Sequence, residues 1–103
     1  FEANLRTLVN ASRAAGRIPI LCTPPVLPVN GIMTSECVVR LADATARIRA
    51  VASSMGVPLV DQSNWCFTVA QMVDPYHPVP AKMHALNMDL GAKLRQVVNT
   101  VTP

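Results

Sequence analysis

Apolar residues recur along this chain at two different spacings. From Phe1 to Ala15, the residues Phe1, Leu5, Leu8, Val9 and Ser12 share one face of a helix, with Arg6, Asn10 and Arg13 opposite. Gly16 follows as the C-terminal cap. Ile18-Pro19-Ile20-Leu21-Cys22 is then a continuous apolar run between Gly16 and Pro24-Pro25, whose length and branched residues predict a buried strand. Pro19 has no backbone donor, so it belongs at the start of that strand or where the ladder is open. Thr23 to Met33 is a proline-rich loop containing Asn30-Gly31. It follows the carboxyl end of a strand, where ligands bind in open α/β sheets; a stiff connector would have the same composition.

The pattern then repeats. Thr34 or Ser35 caps a helix that runs to Met55, with Val38, Leu41, Thr45, Ile48, Ala52 and Met55 as its stripe and Arg40, Asp43, Arg47 and Arg49 outside it. Gly56 ends that helix, and Val57-Pro58-Leu59-Val60-Asp61 is a second short apolar strand. Gln62 to Val73 reads as a loop or a short irregular helix carrying Trp65, Phe67 and Met72. Pro80 suits the first turn of a last helix, from about Val79 to Thr100, with Met83, Leu86, Leu90, Leu94, Val97, Val98 and Val101 apolar. This order predicts an α/β fold whose two strands run parallel, joined by a right-handed crossover. Two parallel strands and three helices leave open edges and uncovered apolar faces. Further strands are expected from residues before Phe1, from another chain or from self-association. Phe1, which opens straight into a helical pattern, reads as an internal position of a longer protein.

Composition sharpens this picture. Half of the residues are apolar, yet there is one Trp, one Tyr and two Phe, so the core must rely on aliphatic and Met side chains. Charged residues are 15% of the chain, against about 25% in ordinary soluble domains. That deficit fits a surface partly covered by another part of the same protein. The net charge of +3 is spread over Arg6, Arg13, Arg17, Arg40, Arg47, Arg49, Lys82, Lys93 and Arg95, mostly at helical spacings opposite apolar positions. A nucleic-acid surface would need a basic cluster interleaved with stacking aromatics, and none is visible. No apolar run is long enough to span a membrane.

Cys22, Cys37 and Cys66 are widely spaced, with no Cys-x-x-Cys and no zinc pattern. Cys22 reads as a small core residue and Cys66 as a partly buried thiol. His84 reads as a solvent-facing or boundary position of the last helix; it lacks the further ligands that a metal shared with His77 would need. Neither metal nor cofactor is expected. Asp61, at a strand end, is expected to accept from loop backbone donors. Trp65, Phe67 and Tyr76 either wall an acyl or sugar pocket or pack under the loop.

One stretch carries candidate chemistry: Asp74-Pro75-Tyr76-His77-Pro78. Pro75 and Pro78 disfavour helical geometry for Asp74 and His77, the residues before them. A carboxylate and an imidazole on one tight loop can meet, and the carboxylate would then fix the ring's tautomer and orientation for base catalysis. An Asp-x-x-His on a surface turn is also an ordinary ion pair, worth about 0–1 kcal/mol.

With Val57-Pro58-Leu59-Val60-Asp61 before it and an amphipathic helix after it, this stretch resembles the C-terminal half of the SGNH (GDSL-type) hydrolases. The segment from Asn4-Leu5-Arg6 through Ala15-Gly16-Arg17-Ile18-Pro19-Ile20-Leu21 to Thr23-Pro24-Pro25 is also similar to that family, so the resemblance spans nearly the whole chain. It implies a flavodoxin-like three-layer α/β/α fold around a parallel sheet, with residues 1–103 as the C-terminal portion of one such domain. It also implies hydrolysis of a small-molecule or carbohydrate ester through Ser-His-Asp. His77 would be the base and Asp74 its orienter. The nucleophilic serine and the oxyanion-hole Gly and Asn would lie upstream, since none of Ser12, Ser35, Ser53, Ser54 or Ser63 sits in a Gly-Asp-Ser context. Lys82 stands where the family has Gly and Asn87 where a small apolar residue is common, departures that bear on the helix–sheet contact. The alternative is a catalytically inactive α/β interaction or carbohydrate-binding module of a larger protein.

Overall fold

The computed structural model describes residues 1–29, 34–74 and 77–101. It is a mixed α/β arrangement of three helices and a two-stranded parallel sheet, in the order α1 (Glu2–Ala14), β1 (Leu21–Cys22), α2 (Ser35–Met55), β2 (Leu59–Val60) and α3 (Pro80–Val101). A 3-10 turn, Val69–Gln71, lies between β2 and α3.

Local signals set the helix ends. Glu2 in the first turn and Arg13 in the last complement the dipole of α1. Gly16, at φ 76°, takes the left-handed position beyond α1. Its N–H donates to Arg13 O and that of Arg17 to Ser12 O, which satisfies two of the orphan carbonyls. Gly56, at φ 63°, ends α2 in the same way, with the Val57 N–H on Ala52 O. At the other end of α2, Thr34 Oγ1 accepts from the Cys37 N–H at 3.2 Å. The exposed pairs Glu36–Arg40 and Asp43–Arg47, both at i,i+4, line its outer face and add a few tenths of a kcal/mol each.

The strands are parallel, with Leu21 opposite Leu59 and Cys22 opposite Val60. They are shorter than the five-residue runs at 18–22 and 57–61 predict. The prolines account for this: Pro19 and Pro58 cannot donate, so the ladder opens with the Leu21 N–H on Pro58 O at 3.0 Å. It continues with the Thr23 N–H on Val60 O. Beyond Pro24-Pro25 the two chains meet again, where Val26 bridges Cys66 in parallel. The Val26 N–H donates to Trp65 O at 2.7 Å and the Phe67 N–H to Val26 O at 3.1 Å. These bonds hold the proline-rich loop beside the segment that follows β2. The outer edge of β2 is blunted by α3, since Lys93 Nζ donates to the Asp61 carbonyl at 2.7 Å.

Helix α1 packs on α2, α2 on β1, and α3 on β2. The buried apolar residues are Val9, Val51, Ala52, Val57, Val60, Phe67 and Leu86. This core is thin. The radius of gyration is 15.2 Å, against the roughly 13 Å expected of a compact domain of this length.

Several expected core positions lie outside it. Phe1 and Leu8, on the predicted apolar face of α1, are 61% and 67% exposed, and only Val9 of that face is buried. Val98 of α3 is exposed too. Cys22 and Cys66 are both exposed, contrary to the core and partly buried placements expected of them. On the helices, the two strands cover only part of α1 and α3; Cys22 and Cys66, on a strand and a loop, likewise project where no further element packs among the described residues. The α2 stripe behaves as predicted, with Thr45 and Ala52 buried and Val38, Leu41, Ile48 and Met55 half-buried. No helix among the described residues is long and apolar enough to cross a membrane.

Candidate functional site

Two aspartates organise the polar chemistry after β2. Asp61 closes the strand. Since Cys22 pairs with Val60, the next residues, Thr23 and Asp61, fall side by side. Thr23 Oγ1 donates to Asp61 Oδ1 at 2.8 Å and accepts the Gln62 N–H at 2.9 Å. The Ser63 N–H (3.0 Å) and hydroxyl (2.5 Å) also donate to Asp61 Oδ1, forming the expected Asx-type turn. Arg49 of α2 donates Nε to Asp61 Oδ2 at 3.0 Å and reaches the Ser63 hydroxyl as well. The Ser63 hydroxyl foremost, then the Ser63 N–H, Thr23 and Arg49, hold the Asp61 carboxyl well below the usual carboxylate range, against the opposing effect of its partial burial. Thr23 and Arg49 escape sequence reasoning here, because both depend on strand register and helix docking.

The second aspartate lies on the turn that precedes α3. Met72 and Pro78 form an antiparallel bridge, with the Val73 N–H on His77 O and the Val79 N–H on Gln71 O, both at 2.8 Å. Pro78 is buried and anchors the turn, while Asp74 and His77 are exposed and non-helical. The His77 N–H donates to Asp74 Oδ1 at 2.9 Å. Ring Nδ1 lies 2.9 Å from both Asp74 carboxylate oxygens. The pair therefore meets as its spacing predicts. With a proton on Nδ1 donated to the carboxylate, Nε2 is left as the acceptor and faces no partner among the described residues. Pro75 and Tyr76 of the same stretch, and Asn30-Gly31 of the earlier loop, lie outside the described residues.

Beside this turn is a groove of about 410 Å3, lined by Trp65, Phe67, Gln71, Lys82 and Asp89 among others. The Trp65 indole N–H donates to Asp89 Oδ2 at 3.0 Å, and Lys93 Nζ holds the same oxygen at 2.8 Å. Lys93, followed by Trp65, keeps the Asp89 carboxyl below its usual range. Trp65 and Phe67 sit with ring centroids 6.2 Å apart. Both aromatics line the groove, Phe67 buried beneath it and Trp65 half-buried. Lys82 is half-buried in its wall, while Asn87 and His84 are exposed. A larger groove, about 570 Å3, runs between β2 and α3 and is lined by neither Asp74 nor His77. Among the described residues, no group of three or more His, Cys, Asp or Glu could hold a metal ion.

Comparison of the chain with protein-family models, curated proteins and solved structures gives no match.

Proposed function

We propose that the chain is the C-terminal, base-bearing half of an SGNH-type serine ester hydrolase, in a domain whose complete form is a flavodoxin-like three-layer sandwich. The observation that carries this reading is the His77–Asp74 pair, with Nδ1 at 2.9 Å from the carboxylate and Nε2 open to solvent on a short turn. Asp74 orients the ring through Nδ1 and stabilises the imidazolium that forms. Nε2 takes the proton of a serine hydroxyl as that oxygen attacks the ester carbonyl, then returns it to the leaving alcohol. Water, deprotonated by the same nitrogen, clears the acyl-enzyme. The serine and the oxyanion donors come from upstream residues or a partner chain, which also supply the missing strands. Among the described residues β1 is an edge strand, and it and the exposed Phe1, Leu8 and Ile18 offer a place for them.

The test is hydrolysis of a short p-nitrophenyl ester by the intact protein. Turnover is expected, with its loss in His77→Ala and none above background from the 103-residue chain alone. Undiminished turnover in His77→Ala would remove the base from this reading. Substantial activity of the isolated chain would place the nucleophile within it.

A further inference from the structure

We propose that the groove beside the His77 turn binds a pyranoside bearing a carboxylate, a sugar of the uronic acid type. The wall combines a half-buried indole with groups that have donors to spare. Trp65 is fixed, because its N–H is held by Asp89, which Lys93 fixes in turn. A locked indole offers a flat π face to the C–H face of a sugar ring, whose hydrogens carry the positive end of their bonds. Gln71 spends its side-chain oxygen on the Thr68 N–H at 3.0 Å, so its amide N–H groups remain. Asn64 has no hydrogen-bond partner among the described residues and lines the same groove. Amides around an aromatic platform suit hydroxyl groups, which both donate and accept.

The charge decides the class. Lys82 Nζ has neither a carboxylate nor a hydrogen-bond partner among the described residues, although the residue is half-buried. The one carboxylate in the wall, Asp89, already faces Lys93 at 2.8 Å. The groove therefore holds an uncompensated positive charge beside surplus donors, which is what a carboxylate would neutralise through charge-assisted bonds. Its volume of about 410 Å3 lies within the roughly 300–1,000 Å3 of small-molecule sites. Backbone bonds connect it to the turn: Val79, two residues beyond His77, donates to Gln71 O and accepts the Lys82 N–H. The proposal goes beyond the hydrolase reading and does not rest on it, because binding is measured without turnover.

The experiment is calorimetric titration of the intact protein with three probes at low salt: an unesterified galacturonate trisaccharide, the neutral galactose trisaccharide of the same linkage, and acetate. The acidic sugar is expected to bind about tenfold or more tightly than the neutral one, and acetate not measurably. In Lys82→Gln the two sugars should converge to within about twofold, with the fold checked by circular dichroism. In Trp65→Leu both sugars should weaken; should that variant unfold, Asn64→Ala replaces it and is expected to weaken both sugars too. Equal affinity for the two sugars, absence of binding, or a preference that survives Lys82→Gln would each overturn the proposal. Acetate binding as tightly as the uronide would show a simple anion patch and overturn the sugar part.

Discussion

Asp61 and Asp74 lie on neighbouring loops and look alike in sequence, each followed within three residues by a polar partner, yet the structure uses them in opposite ways. Asp61 gathers partners from across the chain: Thr23 is 38 residues away and Arg49 is 12. It ties the ends of both strands to α2, and Lys93 adds α3 through the Asp61 carbonyl. His77, by contrast, bonds Asp74 from three residues away on an exposed turn. Long-range bonds to a buried hydroxyl stabilise tertiary structure, whereas a local exposed ion pair contributes little to it. The first aspartate is thus part of the frame. The second meets an imidazole on its own turn, and the proposed function makes it that ring's orienter.

The largest expected effect lies on the His77 side. In the intact protein, His77→Ala should lower kcat/KM for ester hydrolysis by roughly 10²–10⁴-fold, the usual contribution of a positioned acid–base group. Its thermal midpoint should stay close to that of the parent. A matching collapse of the midpoint would break the comparison, because His77 would then be structural.

Next comes Asp61→Ala, expected to cost roughly 1–3 kcal/mol in urea unfolding near neutral pH, since it strands the buried Thr23 hydroxyl and removes a carboxylate acceptor. Its pH dependence follows from the lowered folded-state pKa. A depressed carboxylate contributes stability that is fully present above its unfolded value, about 3.9, and is lost as pH falls through the folded one. The gap between parent and variant should therefore be constant from about pH 7 to pH 5 and narrow below about pH 4. A gap that does not change down to pH 2 would show that Asp61 acts by packing alone.

How much of this was legible in the sequence depends on the range of each interaction. Thr34, Gly16 and Gly56 were readable because a cap acts within a few residues. So was the Asp74–His77 contact, confined to one proline-bounded turn. The parallel pairing followed from helix–strand alternation, but the register that sets Thr23 beside Asp61 did not, because two-residue strands give periodicity nothing to fix. Phe1, Leu8 and Cys22 are exposed against expectation, since an apolar pattern reports a face that favours burial and not what covers it. In sequence Lys82 is a departure from a family pattern; only the fold reveals the groove it lines.

Thr23→Val refines the Asp61 side. It removes one donor to the carboxylate and leaves the Gln62 N–H without its acceptor, so roughly 1–2 kcal/mol of stability should be lost. In the Asp61→Ala background the same substitution should cost less, because the shared bond is already gone. Additive losses would mean that Thr23 and Asp61 act separately.

The smallest effect is the most discriminating. A double-mutant cycle on Asp74→Ala and His77→Ala, read as unfolding free energy, should give a coupling below about 1 kcal/mol, as for other exposed pairs. The same cycle read as kcat/KM should be strongly non-additive, because an orienting carboxylate has nothing left to orient once the imidazole is absent. Coupling in activity without coupling in stability is the signature of a pair that positions chemistry. Substantial coupling in stability would instead make Asp74–His77 a second Asp61, a brace of the frame, and the difference between the two loops would vanish.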